Sequence, residues 1–484
     1  MRIHTWLICI GTVLLSATLF AQGGGKRRPP MEMPAVITAQ GDFSVVLGRP
    51  TATGITISVL SAVAREGYVE FGRNAGAFDQ HTPQMAFPAG TPVEIPLTTL
   101  QPNTAYVYRL CARKHGEVVF TPGAAHPFHT QRVPGSAFTF AIQGDSHPER
   151  PQMHDPTLYA QALTAVVADH PDFYMTIGDD FSVDALHQVD ADTVKDVYLH
   201  QRACLSLVAQ SAPLFLVNGN HEQAALCNLD GTANNVAVWG QTDRNCLFPQ
   251  PAPDAFYTGD AQPVAHIGLL RDYYAWTWGD ALFVVIDPYW HSKTPVDNLF
   301  GSRDHAQGAR DLWEVTLGDA QYAWLTSTLE KSTAKYKFVF AHHVLGTGRG
   351  DQEISLYEWG GSDRNGANLF AVKRPGWTLP IHQLFVKTGV TIFFEGHDHI
   401  FVHAQYDGVV YQTLPLPADP FATLYNANAY RTGDKLPGSG YVRVTVAPTK
   451  TTVDYIRQYL PKDETAEHKN GEIAFSYSVP ARKP

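Results

Sequence analysis

The chain has 484 residues, of which 44% are hydrophobic and 17% charged, and carries a formal net charge of -10. That length exceeds one ordinary domain and predicts two, each able to bury its own core. The acidic balance and the lack of any Lys/Arg block exclude a general affinity for nucleic acid or other polyanions.

Met1 to Ala21 opens with one Arg, continues as an apolar run from Trp6 to Phe20 and ends in small residues before Gln22. This is the pattern of a cleaved secretory signal and predicts a periplasmic or secreted mature protein. A membrane anchor is the alternative, but the run falls short of the roughly 20 apolar residues a spanning helix needs, and no second run follows. Cys9 leaves with the signal, so Cys111, Cys204, Cys227 and Cys246 remain in a compartment that permits disulfides. Cys227 and Cys246 flank one loop and are the expected pair, with buried free thiols as the alternative. None lies in a CxxC, which disfavours thiolate zinc and redox chemistry.

Residues 22–34, rich in Gly, Lys, Arg and Pro, read as a flexible leader. Residues 35–133 read as all β, with alternating stretches at Gly54 to Leu60, Gly67 to Phe71 and Thr104 to Cys111 between Gly, Pro and Asn turns. A small sandwich is expected there. Leu100 to Leu110, LQPNTAYVYRL, resembles a turn and strand of fibronectin type III modules.

From residue 137 to 460 the period changes to α/β. Helices are predicted at Thr157 to Asp169 and Asp319 to Ser332. Strands are predicted at Phe138 to Gln143, Phe173 to Ile177, Leu214 to Asn218, Leu282 to Ile286, Lys337 to Ala341, Thr391 to Phe394 and Val409 to Thr413. Gly440 to Arg457 reads as a closing hairpin, and 461–484 as a C-terminal tail.

Five polar motifs follow these strands in order: GDSH (Gly144 to His147), GDD (Gly178 to Asp180), GNHE (Gly219 to Glu222), AHH (Ala341 to His343) and GHDH (Gly396 to His399). Any one arises readily by chance; all of them, each at the end of an apolar strand where open α/β sheets place ligands, do not. Their residue types suit phosphate-ester hydrolysis, where two cations about 3.5–4 Å apart make a nucleophilic oxygen and neutralise the phosphoryl group. Residues i and i+2 leave a strand on one side, so Asp145 and His147 can share a metal, and His397 and His399 can face one cleft.

The series resembles the D-x-H, G-D, G-N-H, H, G-H-x-H signature of calcineurin-like metallophosphoesterases. With a sandwich in front, the mature chain resembles the purple acid phosphatase architecture. The resemblance implies a four-layer α/β domain of two facing sheets flanked by helices. It also implies a first metal held by Asp145, His147, Asp179 and His399, and a second held by Asp179, Asn220, His342 and His397, with Asp179 bridging. His221 matches the family's substrate-facing histidine, which stabilises phosphoryl oxygens or protonates the leaving group. Purple acid phosphatases carry a metal-binding Tyr three residues after the bridging Asp; here that position is Ser182, with His147 expected to compensate. The metals are therefore open among Fe, Zn and Mn.

Several residues carry competing readings. Asp180 is expected to cap a helix or loop rather than ligate, and Glu222 to orient His221 or a neighbouring loop. His343 could exchange roles with His342. His403, His382, His291 and His266 lack motifs and read as surface or core histidines. The aromatic runs Tyr273 to Trp278 and Pro288 to Trp290 are core or cleft lining. The loop Gly346 to Gly361 could cover the site, with Arg349 as a candidate phosphate contact. The insert Ala224 to Tyr257 could shape specificity. The leading expectation is hydrolysis of small phosphomonoesters by a metal-bound hydroxide. Phosphodiester hydrolysis, and a secreted binding or adhesion protein with an inert metal site, are the alternatives.

Overall fold

Strands such as Arg65–Gly72 and Val93–Leu97 in the first third bury alternate residues, and such half-apolar ribbons must pair face to face. In the computed structural model, which describes residues 42–482 apart from 75, 184, 185, 187, 297–310 and 345–347, they form a β-sandwich. One sheet contains Phe43–Gly48, Ile55–Ser61 and Val93–Leu97; the other is built around Arg65–Gly72 and Ala105–Arg113. Val46 aside, the inward residues, among them Leu47, Ile57, Val59, Val69, Tyr108 and Phe128, form a core of their own. The expected signal at 1–21 and leader at 22–34 lie outside the described residues.

The remainder is built on two further sheets. One has the strand order Leu214–Leu216, Phe173–Thr176, Phe138–Gln143, Ser439–Val446, Lys450–Gln458, Glu472–Pro480. The other includes Tyr274–Trp278, Ala281–Val285, Tyr336–Phe340, Ile392–Glu395, Val409–Thr413 and Phe401–Tyr406. The period of two decides the layers. Phe138, Phe140 and Ile142 meet Phe338, Phe340, Ile392 and Phe394 in an aromatic core between the sheets. The intervening Ala141, with Tyr174, faces outward onto helices Pro156–Ala168 and Ala191–Ala209. Val339 and Phe393 face helices Gly318–Lys331 and Ile381–Thr388 on the far side. The result is the expected four-layer α/β/β/α arrangement.

Local signals set the helix ends. Asp155 caps the first helix by accepting the N–H of Thr157 and Leu158, with Pro156 next, and Asp190 closes a capping box with Thr193. Two expectations are revised. The stretch after residue 460 ends in Glu472–Pro480, an edge strand paired along Lys450–Gln458, so it is part of the sheet rather than a tail. The cysteines among the described residues are free thiols: Cys227 sits in a short 3-10 turn and Cys246 faces solvent from helix Val236–Leu247, so the expected bridge does not form.

The sandwich and the four-layer unit are joined through Arg202, fully buried on helix Ala191–Ala209. Its guanidinium donates to the carbonyls of Ser44 (3.1 Å) and Ser58 (2.9 Å) in the sandwich and to that of Leu247. Tyr108 in the sandwich donates to the Gln210 carbonyl at 2.8 Å across the same junction. Arg202→Ala strands these buried acceptors and should cost about 3 kcal/mol, read as a lowered urea midpoint. An unchanged midpoint would show that the junction does not depend on this side chain.

Candidate metal centre

Five apolar strands deliver the five motifs to one place. Phe138–Gln143, Phe173–Thr176 and Leu214–Leu216 are adjacent and parallel in one sheet. Tyr336–Phe340 and Ile392–Glu395 are adjacent and parallel in the other. Parallel pairing puts the carboxyl ends of each group side by side, and the polar turns after them meet across the sheet-to-sheet gap. The turns are tight: His147, Asp179, His397 and His399 have φ of 41°, 57°, 64° and 61°. Left-handed backbone at non-glycine residues is uncommon and costs about 1–3 kcal/mol each, so the surroundings must hold it in place. Gly219 and Gly396 allow the turns to close, because a Cβ there would strike the carboxylates of Asp179 and Asp145 respectively.

The carboxylates lie at the middle. Asp145 accepts the N–H of His397 at 2.9 Å, and its Oδ2 is 3.0 Å from His399 Nε2 and 3.7 Å from His147 Nε2. Asp179 accepts the N–H of His221 at 2.9 Å; its Oδ2 is 3.1 Å from His342 Nε2, 3.7 Å from His147 Nε2 and 3.9 Å from His221 Nε2. Asn220 Oδ1 is 3.1 Å from His397 Nδ1. Three overlapping groups have all their donor atoms within 4.8 Å of one another: Asp145, His147 and His399; Asp145, Asp179 and His342; His342, His343 and His397. The expected first-site and second-site residues thus fall at the two ends of one cluster, with Asp179 between His147 and His342.

Outer contacts aim these rings. His147 Nδ1 bonds Glu149 at 2.9 Å, and His342 Nδ1 bonds the Ile177 carbonyl at 2.9 Å, so each presents Nε2 to the carboxylates. Glu222 accepts N–H bonds from Gly219 (2.7 Å), Asp180 (2.8 Å) and Phe181 (3.3 Å), tying the GDD turn to the GNHE turn. Burial pushes the carboxyls of Asp145 and Asp179 up, but the imidazoles around them, His342 foremost, outweigh it and hold both well below the usual carboxylate range. Burial lowers His342 in turn, and Asp179 and Asp145 override it, holding it up to about 10. His399 is driven down to about 3 by burial, against the pull of Asp145. Anionic oxygens facing imidazole nitrogens, with no thiolate, are the donor set of hard to borderline dications, so these residues fit a pair of such ions.

The other candidates, His343 apart, fall outside these three groups. Asp180 turns away to accept from Gln143 (2.8 Å) and Ser146 (2.6 Å), and burial raises its carboxyl to about 7. His343 bonds the Tyr289 hydroxyl at 2.9 Å and stacks on His397. Ser182 is fully buried, and its Oγ has no hydrogen-bond partner among the described residues. Arg349 pairs with Asp398 at 3.0 Å and donates to the His397 carbonyl, buttressing the GHDH turn. Trp359 and the run Tyr274 to Trp278 belong to the cores, not to a cleft. His382 bonds Tyr411 and Asp407, His403 bonds Asp434, and His291 joins Asp260 and Asp272 in a separate group. The sequence reading missed Glu149 and Arg150. Arg150 is buried, with Nη2 2.8 Å from His221 Nε2 and Nε 3.0 Å from Glu149. The sole cue was a charged pair following the GDSH motif.

No family model and no curated protein matches the chain. Among solved structures, a purple acid phosphatase from yellow lupin (Lupinus luteus) seeds aligns with a TM-score of 0.58 at 17% identity, over 92% of this chain and 75% of that one. A structure of PhoD aligns with a TM-score of 0.59 at 14% identity, over 92% of both chains. The alignments each cover 92% of this chain, so the chain has the fold of these purple acid phosphatase and PhoD structures.

Proposed function

We propose that this chain is a secreted, metal-dependent phosphoesterase acting on small phosphomonoesters. The observation that carries this reading is the convergence of buried carboxylate and imidazole donors at the carboxyl ends of strands from both sheets. In this reading Asp145, His147, Asp179 and His399 hold one ion, and Asp179, Asn220, His342 and His397 the other. The ions, of Fe, Zn or Mn type, would supply a nucleophilic oxygen at moderate pH and positive charge for the phosphoryl oxygens.

The chain's own residues do the rest. Glu149 and the Ile177 carbonyl fix the rings of His147 and His342, and Glu222 fixes the two turns that carry Asp179 and Asn220. His221, whose N–H is committed to Asp179, presents its ring beside the centre, where it can bind a phosphoryl oxygen or hand a proton to the leaving group. Arg349 would reach a substrate only by giving up Asp398. We assign residues 35–133 as a fibronectin III-like domain and 137–460 as the body of the catalytic domain. The proposed secretion rests on the sequence of residues 1–21; among the described residues no helix is long and apolar enough to cross a membrane.

The test is metal analysis of purified protein with initial rates on an aryl phosphate monoester and the matching diester, before and after chelation and metal restoration. Two metals per chain and chelator-sensitive turnover are expected, with the monoester faster. A faster diester would reassign the substrate class, and two metals without turnover on either ester would favour a binding protein. Asp179→Ala should empty both sites, and retention of two metals would refute the bridge. His221→Ala should keep both metals while turnover falls by about 100-fold or more; unchanged rates would remove its role.

A further inference from the structure

We infer that Arg150 and His221 form a clamp for the third non-bridging oxygen of a terminal phosphoryl group, which selects phosphomonoesters over diesters; this rests on the phosphoesterase reading above. Arg150 lies three residues after His147 of the GDSH turn, and the next two residues, Pro151 and Gln152, are exposed, so its guanidinium stands where the buried centre meets solvent. It is 7% exposed and His221 9%. Among the described residues its one ion pair is with Glu149, whose Oε1 lies 3.0 Å from Nε and also takes His147 Nδ1, so opposite charge holds the guanidinium beside the centre. Its Nη2 meets His221 Nε2 at 2.8 Å, and that ring nitrogen is 3.9 Å from Asp179 Oδ2.

An imidazole is a poor match for this edge. A guanidinium carries a planar fork of donors suited to two oxyanion lone pairs, and a ring nitrogen accepts one of them. A phosphoryl oxygen entering between Arg150 and His221 would receive an N–H from each. It would be drawn to a fixed positive charge in a largely water-excluded setting, where such bonds are strong.

The substrate class follows from counting oxygens. A phosphomonoester has three non-bridging oxygens, a diester two. Oxygens turned toward the carboxylate–imidazole cluster leave a monoester one charged oxygen for the clamp. In a diester that position carries the second ester group, which brings no charge and must fit between two nearly buried side chains. The clamp therefore rewards the monoester and penalises the diester at the same contact.

The experiment uses full-length protein loaded with metal, comparing wild type with Arg150→Gln and Arg150→Lys. Metal content should stay at the wild-type level. Inorganic phosphate should bind about 10–100-fold more weakly to Arg150→Gln by calorimetry, with Arg150→Lys between them. The ratio of monoester to diester kcat/KM should fall at least tenfold. Wild type alone gives a check free of any folding defect: methyl phosphate should compete for the site at least tenfold more tightly than dimethyl phosphate. Equal competition, or an unchanged substrate ratio in an active Arg150→Gln, overturns the clamp and leaves the phosphoesterase reading standing. A metal-loaded wild type that binds no phosphate and turns over neither ester overturns both.

Discussion

Two carboxylates, Asp145 and Asp179, each accept a backbone N–H from a different ligand-bearing turn: Asp145 from His397, Asp179 from His221. The first bond crosses from one sheet to the other, and the second joins neighbouring turns of the same sheet. These bonds place the backbone of one motif against the side chain of another, so the imidazoles have little choice of position. The left-handed conformations at His147, Asp179, His397 and His399 are tolerated because these contacts over-determine the turns. Glu222 extends the arrangement by gathering three N–H groups from the same region.

Such a cluster is costly on its own terms. Burial makes these carboxylates costly to keep ionised, and the surrounding imidazoles offset that cost by holding protons, as His342 does at about 10 and His147 at about 9. A dication held by these residues would do the same electrostatic work without a proton and would leave the imidazoles neutral. The aromatic core beneath supplies the rigidity: Phe140 packs on Phe173 and Phe283, and Phe340 stacks on Phe394, directly under the turns. Strands seated in that core cannot adjust register without turning side chains to the wrong face.

Among the described residues the sandwich contributes none to the centre. It presses on the outer helix Ala191–Ala209, through Arg202, and the same helix reaches inward through Gln201 to Ser146 in the GDSH turn at 2.7 Å. One helix thus touches both the junction and the turn that carries Asp145 and His147. Its capping box and its buried face make it a stiff connection between the two.

The sequence by itself determined the elements and the residue types that meet at the centre. Period-two strands, the caps at Asp155 and Asp190, and motifs at strand ends follow from local rules that need no distant partner. The residues expected to ligate are also the ones brought together. What distance in sequence concealed was settled by packing. That Glu472–Pro480 is a sheet edge depends on a long antiparallel register with Lys450–Gln458, which no local signal encodes. That His342 faces Asp179 while His343 faces Tyr289 depends on which face of a strand end looks inward. That Cys227 and Cys246 stay apart, and that Arg349 serves Asp398 while Arg150 reaches His221, are matters of where loops from remote positions come to rest. Side-chain type is written in the sequence, but partner choice is made by the tertiary fold, because the bonds that decide it join residues tens to hundreds of positions apart.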